Sequence, residues 1–335
     1  IGIRLLETRH WETQYSLSLN MFEMSASVSC VHGDISKMTS CLDAIISHAK
    51  TFDDTLKASS LLVKLLASSS KFDEARDQCL MILSHLGEVF PSEVSLPHVQ
   101  NEMSTIQVLL RSITHDQIKL LPRMTDRSKL NAMKFLNMLC MYSVISKPML
   151  LPLLSCRMVR LTLQYGFCDD SIVGLATAGY SVFLFTEDIQ LASYIGKVSE
   201  SLVEESPNKH ALRARLCNEL VGTLNMITEP LQSVVASFPE VYNSAMMAGD
   251  VENAMICRWS FCCSSFWCGT LGLVPLSKHY TQCIQEAAKY QQDTTLYNTM
   301  ASFNTLLHLS GTTNDDVDVK SFCELDEIGE RTNSA

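Results

Sequence analysis

The chain has 335 residues, of which 47% are hydrophobic, and it carries a formal net charge of −10. The apolar content excludes an intrinsically disordered chain, and the negative charge argues against a nucleic-acid-binding protein, which needs a basic surface to neutralise phosphates. Only 9 prolines and 13 glycines interrupt the sequence, fewer turn residues than a β-sandwich of this length requires, so the composition favours helices.

The N-terminal residues show no secretory signal. Arg4, Glu7, Arg9 and His10 interrupt the first apolar stretch, whereas a signal peptide needs a continuous hydrophobic segment. The chain starts at Ile1 rather than at a methionine, and we expect it to be part of a longer protein.

Residues 51–87 give the clearest helical pattern. Thr51, or Asp53 with Asp54, can cap a leucine-rich first helix, and Gly87 ends a second helix that follows a short turn. One face of the second helix repeats at steps of three or four residues and consists of Phe72, Ala75, Cys79, Ile82 and Leu86. This hairpin resembles a tetratricopeptide (TPR) unit, in which a small residue lets the partner helix approach closely.

Similar turn-to-helix junctions recur at Asp34, Asp188 and Asp250, each followed by an apolar residue. In each, an acidic or turn residue precedes the apolar one, and a smaller or more flexible residue follows three positions later. The separations between the junctions fit no single period, so we expect helical hairpins in a degenerate repeat.

The middle of the chain is less regular. A helix is predicted over residues 99–113, and Asp126 can cap a long helix over 127–146. A further helix begins near Pro152 and ends before Gly166. Proline and glycine positions divide the chain into four parts: residues 1–90, N-terminal TPR-like hairpins; residues 91–125, an irregular linker with one helix; residues 126–310, a C-terminal array of helical hairpins; and residues 311–335, an acidic, poorly ordered tail.

The 13 cysteines are odd in number and lie mostly at apolar helix positions. This distribution is not typical of a disulfide framework, and reduced buried cysteines behave as small hydrophobic residues. We therefore expect a reducing, cytoplasmic location. The most apolar window, residues 254–276, contains Arg258 and is broken by glycine and proline, so no membrane span is predicted.

Motifs for nucleotide chemistry and hydrolysis are missing from the sequence. Gly196–Lys197 lacks the upstream glycine of a phosphate-binding loop, and the short kinase, zinc-protease and serine-hydrolase motifs do not occur. The nine histidines are dispersed and do not pair with cysteines or carboxylates at a recognisable spacing. The sequence therefore predicts no catalytic, cofactor-binding or metal-binding residue, and no cofactor, in this chain.

Three groups of side chains have alternative interpretations. Cys257, Cys262, Cys263 and Cys268 could bind zinc or include a redox-sensing thiol, but their spacing scatters them around one helix and favours a structural role. Lysines at 57, 64 and 71 are interpreted as a solvated face, with a partner contact as the alternative. The carboxylates at 169–170 and 314–318 would suggest an all-α metal-dependent enzyme, a distant alternative; we favour a helix cap for the first pair.

Five short motifs appear in a fixed order along the chain. They are residues 86–91 (Leu-Gly-Glu-Val-Phe-Pro), 121–133 (starting Leu-Pro-Arg-Met-Thr-Asp), Pro152 with 158–166, 194–197 (Tyr-Ile-Gly-Lys) and 229–231 (Glu-Pro-Leu). Their order and spacing resemble the TPR-like helical region of multi-sensor signalling kinases, over roughly residues 11–310. In that family this region follows a STAND-type AAA ATPase domain, which a Ser/Thr-kinase-like domain can precede, and GAF or PAS sensors and a histidine kinase come last.

The resemblance implies an all-α fold of antiparallel helical hairpins stacked as a TPR-like α-solenoid. It implies a non-catalytic module of two-component signalling that binds protein partners, including neighbouring domains of the same chain, and that regulates an adjacent ATPase or kinase. ATP would bind those neighbouring domains and not this chain. The alternative from another class is a freestanding cytosolic TPR-like scaffold or adaptor.

Overall fold

Helices make up most of the described chain. The computed structural model describes residues 2–6, 8–227 and 229–311, and within them the only strand-like feature is an isolated bridge between Arg123 and Phe167. The all-α prediction is confirmed. The predicted tail lies, from residue 312 onward, outside the described residues.

The α-helices are α1 (His10–Thr13), α2 (Tyr15–His32), α3 (Ile35–His48), α4 (Phe52–Ser68), α5 (Phe72–His85), α6 (Leu96–Ser112), α7 (His115–Lys119), α8 (Arg127–Ser146), α9 (Leu151–Tyr165), α10 (Asp169–Thr186), α11 (Ile189–Glu205), α12 (Lys209–Arg215), α13 (Leu231–Met247), α14 (Val251–Cys268), α15 (Leu273–Lys289) and α16 (Asp293–Ser310). Short 3₁₀ segments lie at Gly2–Leu5, Pro148–Leu150 and Asn225–Ile227, and a π-helical segment lies at Cys217–Leu224. No helix among the described residues has both the length and the apolar content needed to cross a membrane.

Most predicted helix starts are confirmed by their capping hydrogen bonds. Thr51 caps α4 in a reciprocal capping box with Asp54, and Asp126 caps α8 by accepting from the backbone N–H of Lys129. Asp34 and Asp188 cap α3 and α11 in the same way. Local side-chain chemistry therefore fixed these boundaries.

Two starts differ from the prediction. Helix α6 begins at Leu96, so Pro97 lies in its first turn, where the missing proline N–H would have no intrahelical acceptor. The N-cap of α10 is Cys168, whose backbone N–H donates to Ser171 Oγ. Asp169 and Asp170 lie in the first turn of that helix instead of capping it.

Helices that follow one another along the chain pack in pairs, notably α2 with α3, α9 with α10, α13 with α14 and α15 with α16. The largest buried cluster runs from Leu56 to Leu224 and includes Met103 and Ile106 of α6. A second cluster joins α14, α15 and α16, and a third joins α2, α3 and α4. The core is therefore distributed along the succession of helices.

Three of the five sequence motifs meet around one buried carboxylate. Glu88, only 4% exposed, accepts hydrogen bonds from Lys129 Nζ at 2.6 Å and from the guanidinium of Arg157. Lys129 also lies over the ring of Tyr165, and Arg157 lies over the ring of Phe90. These residues, all of them from the motifs except Arg157, stabilise the junction between the loop after α5 and helices α8 and α9.

Turns in the N-terminal part of the chain contact helices α15 and α16 in its C-terminal part. The hydroxyl oxygens of Ser70, in the turn after α4, and Thr294, in the first turn of α16, are 2.8 Å apart, and Thr294 Oγ1 also donates to the carbonyl of Ala67 at 3.4 Å. Gly33 lies so close to the end of α15 that a Cβ there would sit 3.3 Å from the carbonyl oxygen of Lys289. The helices near the start of the chain are therefore in contact with α15 and α16 near its end.

Candidate functional site

A cavity of about 490 Å³ lies where the two ends of the succession meet. Its wall is built by residues of α4, α5, α8, α10, α14 and α16 and of the π-helical segment. Small-molecule sites in proteins typically have volumes of about 300–1,000 Å³ and lie between packed elements. The position and size of this cavity make it the candidate functional site.

The cavity wall is mainly apolar and rich in aromatic rings. Four aromatic side chains line it: Phe72, Tyr142, Tyr180 and Trp259. The rings of Phe72 and Tyr142 are 6.4 Å apart between centroids. Aliphatic side chains of α8 and α14, including Ile145 and Ile256, complete this surface. Such a wall favours an occupant with an apolar body.

The π-helical segment contributes Gly222 and Thr223 to the wall. A π-helical turn is wider than an α-helical turn, and such turns recur at functional sites. The segment is continued by Met226, another lining residue.

Glu252 is the only charged residue that lines this cavity in the described part of the chain. It lies in the first turn of α14, and its Oε2 accepts a long hydrogen bond of 3.4 Å from the hydroxyl of Tyr142. Burial raises the pKa of the Glu252 carboxyl to about 7, although the positive charge of Lys64 opposes this effect. The cavity therefore contains a carboxyl group that titrates near neutral pH.

The nearest cation is already paired. Lys64 on α4 places its Nζ 4.0 Å from Oδ1 of Asp250, and the charge of Asp250 raises the pKa of the lysine. The side-chain amide of Asn253 donates to the other carboxylate oxygen of Asp250 at 2.9 Å. One lysine thus faces two carboxyl groups, and Asp250 is the one it pairs with.

Asp250 explains how this charge arrangement forms locally. It stands at the N-cap position of α14 but accepts no capping hydrogen bond from the described residues, unlike Asp34 and Asp188. Its carboxylate turns toward Lys64 and Asn253 instead. The following first turn of α14 then presents Glu252 to the cavity.

Trp259 offers an unsatisfied donor at the same wall. Its indole Nε1 is buried and has no hydrogen-bond acceptor among the described residues. An indole N–H can only donate, and a buried donor without an acceptor costs free energy. Because Nε1 has almost no accessible surface, Trp259 lines the cavity with its ring and not with this N–H.

The three lysines spaced seven apart have separate roles. Lys57 Nζ lies 3.0 Å from the carboxylate of Glu23 on α2. Lys64 pairs with Asp250, and Lys71, which precedes α5, lies 3.7 Å from Glu74 in the first turn of that helix. They do not form one charged face. Only Lys64 lies close to the cavity.

The candidate metal ligands do not come together. Among the described residues, no group of three or more histidine, cysteine, aspartate or glutamate side chains is placed to hold a metal ion. Cys257 and Cys262 are buried, and burial raises the pKa of the Cys262 thiol. Cys263 lines the cavity and is partly exposed to it.

Asp169 and Asp170 hold neighbouring helices together. Asp170 Oδ1 accepts from Arg215 at 2.7 Å and from Asn137 at 3.2 Å, and Asn208 donates to Asp169 at 2.7 Å. Burial raises the pKa of Asp170. The carboxylates at 314–318 lie outside the described residues.

Sequence reasoning did not select Tyr142, Glu252 or Thr294, and it treated Trp259 only as an aromatic residue between cysteines. One signal was present: Glu252, Ile256, Trp259 and Cys263 follow each other at helical steps of four, three and four, so they share one face of α14. A glutamate at the start of an otherwise apolar stripe marks a partly buried charge. None of the five motifs contributes a described residue to the cavity wall.

Comparison with known proteins identifies no relative: no family model matches the chain, and no curated protein matches it significantly.

Proposed function

We propose that this chain is a non-catalytic helical-repeat module, stacked as a TPR-like α-solenoid, which regulates a neighbouring ATPase or kinase domain of a cytoplasmic signalling protein through protein–protein contacts. The supporting observation is that α4 and α5, from the N-terminal part of the chain, and α14 and α16, from its C-terminal part, line a single cavity. An occupant of that cavity touches α4 and α5 on one side and α14 and α16 on the other. Its binding would therefore change how tightly the two ends are held together.

The mechanism is a shift between a closed and a more open arrangement of the helices. The closing contacts include the hydrogen bond between Ser70 and Thr294 and the 4.0 Å ion pair between Lys64 and Asp250. Individual contacts of this kind contribute only about 0.5–1.5 kcal/mol each. A ligand or partner with a few kcal/mol of preference for the closed arrangement can change its population, and a domain attached to one end would respond.

The test uses the full-length natural protein and two tryptophan substitutions. Ser260→Trp fills the cavity from α14, whereas Ser104→Trp adds the same ring to the exposed face of α6 and serves as control. ATP hydrolysis and phosphotransfer are measured with and without the stimulus that activates the protein. We expect Ser260→Trp to change the regulated activity at least severalfold and the control to leave it unchanged.

Deletion of residues 8–311 from the full-length protein is the experiment that can refute the regulatory proposal. If the deleted protein kept both its basal activity and its response, the regulatory proposal would be wrong. A full-length protein without any ATPase or kinase domain would instead favour the freestanding scaffold, and pull-down of partners would then identify its role.

A further inference from the structure

The cavity wall carries one charged side chain among the described residues, the carboxyl group of Glu252. Within the described residues, the groups that face Glu252 are Lys64 of α4, Tyr142 of α8, Asp250 at the start of α14 and Cys30 of α2. Lys64 pairs with Asp250, and Tyr142 is neutral because burial raises its pKa well above the ordinary value. Among the described residues, the Glu252 carboxyl has one long hydrogen bond, from Tyr142, and Lys64 forms its ion pair with Asp250 instead.

The aromatic wall complements the same kind of charge. Phe72, Tyr142, Tyr180 and Trp259 line the cavity with Glu252. The faces of aromatic rings attract ammonium groups, by about 0.5–2 kcal/mol each, depending on desolvation. An anionic ligand would meet the Glu252 carboxylate without any lining lysine or arginine in the described chain to compensate it.

We propose that the cavity binds a small amphiphilic cation: an apolar or aromatic body whose single ammonium group pairs with the Glu252 carboxylate. This inference rests on the proposed function and names the ligand class of its sensory site. The volume of about 490 Å³ fits a small organic amine and not a folded partner.

A cationic ligand gives the site a defined pH response. The Glu252 pKa of about 7 in the empty cavity means that the ionised form increases between pH 6 and pH 8. An ammonium group of ordinary basicity stays charged across that range. Binding should therefore tighten as the pH rises from 6 to 8, and Glu252→Gln should abolish this dependence.

The experiment uses three probes of one shape and the 335-residue chain. The probes are 4-phenylbutylamine, 4-phenylbutan-1-ol and 4-phenylbutyrate, which carry a positive, a neutral and a negative head group. Binding is measured by calorimetry and by the fluorescence of Trp259 after Trp11→Phe and Trp267→Phe have removed the other two tryptophans. The amine should bind at least about tenfold more tightly than the alcohol, and the carboxylate should bind most weakly.

Three variants locate the interaction. Glu252→Gln keeps the shape and an acceptor for Tyr142 but removes the charge. This variant should bind the amine and the alcohol about equally tightly. Trp259→Leu keeps an apolar side chain but removes the aromatic face, and it should weaken the amine more than the alcohol. Glu74→Gln, on the exposed face of α5, should change nothing. Circular dichroism verifies that each variant is folded.

The outcomes separate this inference from the proposed function. Equal binding of amine and alcohol, or no binding of any probe to the folded chain, would overturn the cationic ligand class while leaving the effect of Ser260→Trp on the full-length protein intact. If Ser260→Trp and the deletion had no effect but the amine still bound through Glu252, the ligand class would stand and the regulatory role would fail.

Discussion

Ser70 and Thr294 are 224 positions apart in the sequence, yet their hydroxyl oxygens are 2.8 Å apart. Their contact joins the turn after α4 to the first turn of α16, and Thr294 also lines the central cavity. The contact between the turn after α4 and the start of α16 therefore lies at the cavity wall.

Closure can be measured with a double-mutant cycle. Ser70→Ala and Thr294→Val each remove one hydroxyl, and we expect a coupling energy of about 0.5–1 kcal/mol because either substitution alone already breaks the hydrogen bond between them. Urea unfolding gives the free energies, and amide exchange in the first turn of α16 should increase in each single variant. Strict additivity would show that the hydroxyls do not interact. Ser104→Ala, on the exposed face of α6, is the control.

The buried ion cluster around Glu88 should dominate the stability of the α5–α8–α9 junction. Glu88→Gln leaves Lys129 and Arg157 without their common carboxylate, and we expect a loss of about 3 kcal/mol in the free energy of unfolding. Denaturant unfolding measures it. Glu74→Gln, whose carboxylate is exposed beside Lys71, should cost at most about 0.5 kcal/mol. Similar losses for the two variants would contradict this assignment.

Gly166 should tolerate no side chain. Its φ is +106°, and a Cβ there would overlap the carbonyl oxygen of Pro122, which accepts a 2.7 Å hydrogen bond from the N–H of Phe167. Gly166→Ala therefore combines a disfavoured backbone conformation with a clash against the backbone. Gly269, with φ +63° and open space around it, isolates the conformational cost.

We expect Gly269→Ala to lower the free energy of unfolding by about 1 kcal/mol. Gly166→Ala should lower the free energy of unfolding clearly more, by about 3 kcal/mol, because the hydrogen-bonded backbone segments at Pro122 and Phe167 must move apart. Thermal or urea unfolding of both variants provides the comparison. Equal effects of the two substitutions would mean that the backbone at Pro122 moves away from the new Cβ without a free-energy penalty.

Glu252 should make stability depend on pH. Its pKa rises from the ordinary value of 4.5 to about 7 on folding, so the folded state binds the proton more tightly than the unfolded state does. The contribution of this group to stability is therefore most favourable below about pH 4.5 and is lost as the pH rises through 7.

Glu252→Gln removes that loss. The difference in the free energy of unfolding between the variant and the unsubstituted chain is the quantity to compare. It should favour the variant by on the order of 2–3 kcal/mol more at pH 8 than at pH 5. Urea unfolding at the two pH values measures this change, with Glu74→Gln as the control. A difference that does not change with pH would show that Glu252 has an ordinary pKa.

The thiols should differ strongly in reactivity. Cys79 and Cys262 are fully buried, and burial raises the pKa of both; since the thiolate is the reactive form, they should stay unmodified by N-ethylmaleimide at pH 7.5 until the chain unfolds. Cys263 lines the cavity, so its slower labelling in the presence of 4-phenylbutylamine, detected by mass spectrometry, would place the probe there. Labelling of Cys79 at the rate of a surface thiol would contradict the burial.

Local sequence signals predicted much of the secondary structure. Thr51, Asp126 and Gly166 set helix boundaries through hydrogen bonds within a few residues, and such interactions are visible as short patterns. Asp250 precedes α14 as Asp34 and Asp188 precede α3 and α11, but it accepts no capping hydrogen bond from the described residues and pairs with Lys64, 186 positions away. Nothing within a few residues of Asp250 indicates that partner.

The sequence by itself determined the helical class, most helix limits and the lack of short catalytic motifs, because these depend on periodicity and on contacts between neighbours in the chain. Only the tertiary structure decided where the cavity lies and which charge it contains. Its wall joins residues from Ala67 to Asn298, and the pKa of Glu252 depends on burial by helices far away in sequence. Burial and charge pairing between distant segments are properties of the packed molecule and leave only a weak trace in the order of residues.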